Sequence, residues 1–275
     1  MKMQNNIQVM GIVNITSDSF FPGSRMIGPD GCIDFDKIRA TVQQMLRSGV
    51  DILDVGACST RPGSKSIDAE SEWERLKAAL PVIRNAAPET PISVDTFNSS
   101  VVEKVYDLIG PFIVNDISAG TIDGRMLTVV GCLGLPYVAM HMRGTPETMA
   151  TLTDYPNGVV AEVLQFFQDF AAKADKAGIK DWYLDPGFGF AKTIEQNYEL
   201  LNHMDVLQQL GRPILVGLSR KSMVYRLLGQ KPEDTLASTQ ALNMVALERG
   251  ATVLRVHDVQ DARNTISIYK KLIEN

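Results

Sequence analysis

ISVDTFNSSVVEKVYDLIGPFIVND, residues 92–116, holds the unit from which the rest of the chain can be read. A short apolar run (92–94) ends on Asp95, a helical stretch follows (99–108), and a second apolar run (112–114) ends on Asn115 and Asp116. Apolar runs of the same kind recur outward in both directions, at 8–13, 52–55, 137–140, 182–184, 214–216 and 252–256. Between and after them lie stretches that predict helices, at 35–48, 71–86, 126–131, 158–177, 195–210, 235–248 and 262–273. Val163, Phe166, Phe167 and Phe170 show the spacing that puts one apolar stripe on a helix. Gly49, Gly178, Gly211 and Gly250 stand where helices end on a left-handed residue. Strands that are apolar throughout are buried on both faces, which means a parallel sheet covered by helices. Eight strand–helix repeats without a composition shift predict an α/β fold, a closed TIM (β/α)8 barrel forming a single domain over residues 1–275. An open doubly wound sheet is the alternative. Against it, no G-x-G-x-x-G follows the first strand.

Composition sets the outer limits. With 45% hydrophobic and 21% charged residues the chain is globular rather than disordered, collagenous or coiled. Its charge of 27 − 32 = −5 argues against nucleic acid as a partner, while leaving room for a local cluster of cations around an anionic substrate. Three cysteines without C-x-x-C spacing predict neither a disulfide framework nor a zinc site, and fit a reducing compartment. The longest uncharged run, 126–142, is too short and too rich in glycine and proline to span a membrane. No signal peptide is read at the start, so a cytoplasmic location is expected.

In such a barrel the site lies at the C-terminal ends of the strands. The residues there are Asn14, the loop 56–63, Asp95, Asn115 with Asp116, His141, Asp185, the run 219–222, and Arg255 with His257. A lone polar residue after a strand is usually a turn former or a cap. A set this rich in Asp and Asn across the strands is not explained that way. Arg220, Lys221, Arg255 and His257 follow strands seven and eight, where this fold often binds phosphate, and 219–222 opens a helical pattern that adds backbone donors. Asp95, Asn115 and Asp185 converge from strands three, four and six, and buried acceptors of this kind suit a ligand edge carrying several N–H donors. A divalent metal site is the competing reading. His203, mid-helix in this reading, and Trp73 and Trp182 are read as structural.

Taken together, the motifs resemble the dihydropteroate synthase family. The likeness rests on Met10-Gly11-Ile12-Val13-Asn14-Ile15-Thr16 with Asp18-Ser19-Phe20, on Ser59-Thr60-Arg61-Pro62-Gly63, Val94-Asp95-Thr96, Val114-Asn115-Asp116-Ile117 and Met140-His141-Met142. It continues through the loop 185–190, the run 219–222, and Arg255-Val256-His257-Asp258, so that it covers essentially the whole chain. The resemblance implies condensation of 6-hydroxymethyl-7,8-dihydropterin diphosphate with p-aminobenzoate to give 7,8-dihydropteroate and diphosphate, with Mg²⁺ as cofactor and sulfonamides as mimics of p-aminobenzoate. It implies Asp95, Asn115, Ile117, Met140, Asp185, Phe190, Gly217 and Lys221 as the pterin site. Asn14, Arg61, Arg255 and His257 would take the diphosphate, with Asn14 also serving the metal. Phe20, Thr60, Arg61, Pro62, Phe190, Lys221 and Ser222 would form the p-aminobenzoate pocket. Lys221, Arg255, Asp95 and Asp185 would be the catalytic set, and a homodimer is expected. The chain departs from the family pattern at Ser17, where proline is common, at Phe21-Pro22-Gly23, and at Cys58, where glutamate is common. A methyltetrahydrofolate–corrinoid methyltransferase and a non-catalytic relative are the alternatives. The first has no use for Arg61, Lys221 and Arg255, and the second should have lost pocket residues that are present here.

Overall fold

The computed structural model describes residues 6–16, 26–28, 32–58 and 67–274. Its strands are β1 (Gln8–Asn14), β2 (Ile52–Gly56), β3 (Ile92–Asp95), β4 (Ile113–Asp116), β5 (Tyr137–Met140), β6 (Trp182–Asp185), β7 (Leu215–Val216) and β8 (Val253–Val256). All pair in parallel, in the order β6-β5-β4-β3-β2-β1-β8-β7. The ring closes between β6 and β7 through a parallel bridge, Leu184 to Ile214, where Leu184 N–H also donates to Pro213 O at 2.9 Å. The expected (β/α)8 barrel is therefore what the chain forms.

The helices are α1 (Phe35–Arg47), α2 (Ala69–Ala86), α3 (Ser99–Ile109), α4 (Met126–Leu133), α5 (Val159–Ala177), α6 (Ile194–Asn202), α7 (Ser222–Leu228), α8 (Leu236–Glu248) and α9 (Val259–Ile273). Their starts are written in the sequence. Asp34 and Asp68 accept from the N–H groups of Lys37 and Ser71, capping α1 and α2, and Thr193 with Gln196 forms a reciprocal cap on α6. Gly49, Gly178, Gly211 and Gly250 all have positive φ, as their positions after helices predicted. The stretch 195–210 does not form one helix. It breaks at His203 into α6 and a 3₁₀ segment, Met204–Leu210, in which Met204, Leu207 and Leu210 recur every third residue, the period of the tighter helix. His203 is thus a junction residue rather than a mid-helix one.

Alternation along the strands builds the site. One set of side chains points outward to the helices, where Val55, Val94, Val114, Ala139, Leu184 and Val216 join the main core. The other set points inward in layers. The lowest layer, Met10, Ile52, Ile113, Val138, Leu215 and Val253 with Tyr183 against it, is an apolar plug. Two residues further along each strand the inward positions are Ile12, Asp54, Asn115, Met140, Gly217, Arg255 and Asp185. Polar groups therefore sit above a dry floor, in a part of the barrel where their interactions are poorly screened.

Candidate active site

Asp54 is the hub of this upper layer and is fully buried. Its Oδ1 accepts from Ser93 Oγ at 2.6 Å and Asn115 Nδ2 at 3.2 Å, while its Oδ2 accepts from Arg255 Nε at 2.7 Å. A second guanidinium nitrogen of Arg255, Nη2, donates to Asp95 Oδ2 at 2.9 Å. Burial pushes the Asp95 carboxyl up from its ordinary range, with Arg255 opposing, and the paired carboxylates hold Arg255 firmly charged. Asp185, also raised by burial and opposed chiefly by Lys221, accepts from Gly187 N–H at 2.8 Å through Oδ1. Gly187 has φ +68, and a Cβ there would lie 2.0 Å from His141 O, so only glycine permits this turn.

The loop after β6 is fixed from two sides. Lys221 Nζ donates to Phe188 O at 2.6 Å and stands 5.1 Å from the centre of the Phe190 ring. Lys192 Nζ contacts His141 Nδ1 at 2.9 Å and donates to the carbonyls of Gly187 and Phe190 at 3.0 and 3.1 Å. Burial lowers both amines, Lys192 to about 7 and Lys221 to about 8. It also drives the His141 pKa well down, so that imidazole is neutral and can accept at Nδ1.

A cavity of about 380 Å³ opens above this layer. Of the residues singled out in the sequence, Asn14, Asp95, Phe190, Gly217, Lys221, Ser222, Arg255 and His257 line it. Asn115, Ile117, Met140 and Asp185 are buried behind its wall. Asn115 is tied to Asp54, while Ile117 and Met140 pack in a small apolar cluster with Phe97, Met142 and Met149, against which Phe190 rests. Phe20, Thr60, Arg61 and Pro62 lie outside the described residues, as does Ser17.

Two strand-end residues, Asp116 and His141, do not serve the mouth. Asp116 points away from the barrel axis, accepting from Ser118, Gly120 N–H and the Tyr137 hydroxyl, because adjacent strand residues face opposite sides. His141 is buried edge-on to Phe166 and beneath Lys192. Arg220, with φ +58, gives both contacts of its Nη2 to the Asp258 carboxylate, at 2.9 and 3.1 Å, and so ties the loop after β7 to the loop after β8. In the same region His257 Nδ1 lies 3.0 Å from Ser219 Oγ. Sequence reasoning passed over Asp54, Lys192, Tyr225 and Arg226. The first carried a signal, an acid inside an otherwise apolar strand.

Among the described residues no group of three or more His, Cys, Asp or Glu side chains is placed to hold a metal ion. Asn14 Oδ1 and Asp95 Cβ both lie 3.4 Å from the Cβ position that Gly56 leaves empty, so the amide and the acid border the same gap at the mouth. That donor set suits Mg²⁺ only if phosphate oxygens and water supply most of its shell, which is the usual habit of this ion.

The sequence profile of the pterin binding enzyme family matches residues 10–257. The chain belongs to this family. Within it, the dihydropteroate synthase of Synechocystis sp. is 38% identical over 258 residues, covering 92% of this chain and 85% of that protein. The folic acid synthesis protein fol1 of Pneumocystis carinii is 36% identical over 260 residues, but the chain spans only 34% of that longer protein. The crystal structure of Yersinia pestis dihydropteroate synthase in a sulfonamide drug complex superposes with a TM-score of 0.88 at 33% identity, covering 99% of this chain and 96% of that one. The Xanthomonas albilineans dihydropteroate synthase with 4-aminobenzoic acid gives 0.86 at 35% identity, with 99% and 95% covered. These two barrels and the present one share one fold over nearly their whole length.

Proposed function

We infer that this chain is a dihydropteroate synthase, an alkyl-group transferase of folate biosynthesis. It joins p-aminobenzoate to 6-hydroxymethyl-7,8-dihydropterin diphosphate and releases diphosphate. The observation that carries the reading is one cavity bordered below by carboxylate and amide acceptors and lined above by cations. Acceptors on Asp95, Asn115 and Asp185 complement the N–H donors of an amino-pyrimidinone edge. Arg255, His257, Arg220 and Arg226 face the same space and complement a departing polyanion.

The chemistry follows from that division. The reacting carbon is the exocyclic methylene, whose C–O bond to the diphosphate breaks as positive charge spreads into the electron-rich dihydropterin. Asp54 and Asp95, which hold Arg255, and Asp185 put carboxyl groups beneath that charge in a poorly screened layer, favouring the ionised state over the neutral ester. Arg255, held by Asp54 and Asp95, and His257 lie toward the leaving oxygens. The aniline nitrogen then bonds to the methylene carbon and gives up a proton, so no protein nucleophile is required. Phe190, Lys221 and Ser222 border the side from which the amine would approach. Mg²⁺, when bound with the diphosphate, would neutralise part of its charge, with Asn14 Oδ1 as the protein oxygen.

A homodimer and a cytoplasmic location belong to the same proposal. Ile268, Leu272 and Ile273 expose a row of apolar side chains on α9, the kind of surface that association covers. Among the described residues no helix is long and apolar enough to cross a membrane. A corrinoid methyltransferase is disfavoured by the cation-lined mouth, for which such a reaction has no anion. The test is inhibition by a sulfonamide against varied p-aminobenzoate. The expected pattern raises the apparent KM and leaves kcat unchanged, whereas a fall in kcat at saturating p-aminobenzoate would contradict the pocket.

A further inference from the structure

Asp54 touches no part of the cavity surface, yet its carboxylate decides which atom of Asn115 is available there. An ionised carboxylate only accepts hydrogen bonds. Its Oδ1 and Oδ2 lie 3.2 and 3.3 Å from Asn115 Nδ2, and Arg255 Nε and Ser93 Oγ hold those oxygens in place from two other strands. Reversing the Asn115 amide would bring its oxygen against two oxygens of Asp54 in a fully buried layer, an arrangement with no compensating donor. Asn115 Nδ2 is therefore committed downward. Its Oδ1, which has no hydrogen-bond partner among the described residues, remains the end that can meet a ligand.

We propose that Asp54 is a specificity-determining positioning residue: by fixing Asn115 as an acceptor, it makes the site select a pterin edge bearing an amino group over an edge of the same shape bearing a carbonyl. The proposal rests on the pterin reading given above, and it assigns the discrimination to a residue that no ligand touches. Asp95 and Asp185 are acceptors whichever way they rotate. Asn115 is the one member of the trio whose polarity can reverse, so control of that amide controls the choice.

The test uses two unreactive probes and isothermal titration calorimetry on the whole chain. 6-Hydroxymethylpterin carries a 2-amino group; 6-hydroxymethyl-lumazine carries a carbonyl in its place. The wild type should prefer the pterin. In Asp54→Asn, Arg255 Nε keeps the remaining oxygen at the Oδ2 position, so the new amide offers an N–H toward Asn115, which lets that residue turn its oxygen inward and present N–H groups to the ligand. The pterin-to-lumazine affinity ratio should then fall by about tenfold or more, equivalent to about 1.4 kcal/mol. The charge-conserving swap Asp54→Asn/Asn115→Asp restores an acceptor at position 115 and should restore the ratio. A lost polar anchor alone would weaken both probes without changing their ratio. An unchanged ratio in Asp54→Asn, or a swap that fails to recover the preference, overturns the proposal. If Asp54→Asn does not fold, the swap decides by the same criterion. A wild type that binds both probes equally well keeps the pterin reading and overturns the role of Asp54. A wild type that binds neither overturns the pterin reading itself, and this proposal with it.

Discussion

Lys221 shows how a single side chain links loop position to proton state. Its amine donates to Phe188 O and lies over the Phe190 ring, and burial lowers its pKa from 10.5 to about 8. Below that value the ammonium is charged and has donors for the loop and for a bound carbonyl; above it the charge is lost. Turnover should therefore decline on an alkaline limb near pH 8. Lys221→Arg, which stays charged throughout, should lose that limb even if its rate is lower. A wild-type profile flat from pH 7 to 9.5 would show that this proton does not matter. The same scale shows what the sequence disclosed and what it hid. Asp95 and Asp185 were legible because each directly follows an apolar run, and Lys221 and Arg255 because they are cations in the segments of the last two strands. Asp54 escaped because the reading stopped at strand ends, although alternation from Gly56 places it inward two residues earlier. Lys192 sits in an irregular loop, where no periodicity marks it, and its three partners come together only through the folded turn.

At the scale of elements, the strands and most helices were legible because burial on both faces leaves continuous apolar runs and because caps announce helix starts. The break at His203 was not, since a three-residue apolar period is easily absorbed into a helical pattern. Nor did sequence show how closely α4 and α5 approach. Gly131 of α4 packs against the end of α5 so tightly that an added Cβ would lie 1.8 Å from Ala177 O, a backbone atom that cannot swing aside. Gly131→Ala must push the two helices apart, and should cost about 1–3 kcal/mol in urea unfolding, the range for overpacking. A midpoint within error of the wild type would mean that the two helices pack less rigidly than the structure shows. The substitution lies in the outer ring, so affinity for p-aminobenzoate should hold at 25 °C.

For the molecule as a whole, an acidic chain places its substrate-facing cations at one end of a barrel whose floor is apolar and whose middle layer is acidic. That vertical order, plug, acceptors, cations, is the physical basis for a donor-rich ring seated below and an anion leaving above. It was only partly visible beforehand. Sequence named the mouth residues, but whether Arg255 faced phosphate or carboxylate depended on three strands meeting in space, and it is the carboxylates of Asp54 and Asp95 that hold it. The most direct test of the whole account is diphosphate release by the purified protein supplied with dihydropterin diphosphate and Mg²⁺, with and without p-aminobenzoate. The account predicts release that depends on p-aminobenzoate and matches dihydropteroate formed one for one. Tight pterin binding with no p-aminobenzoate-dependent release would contradict it.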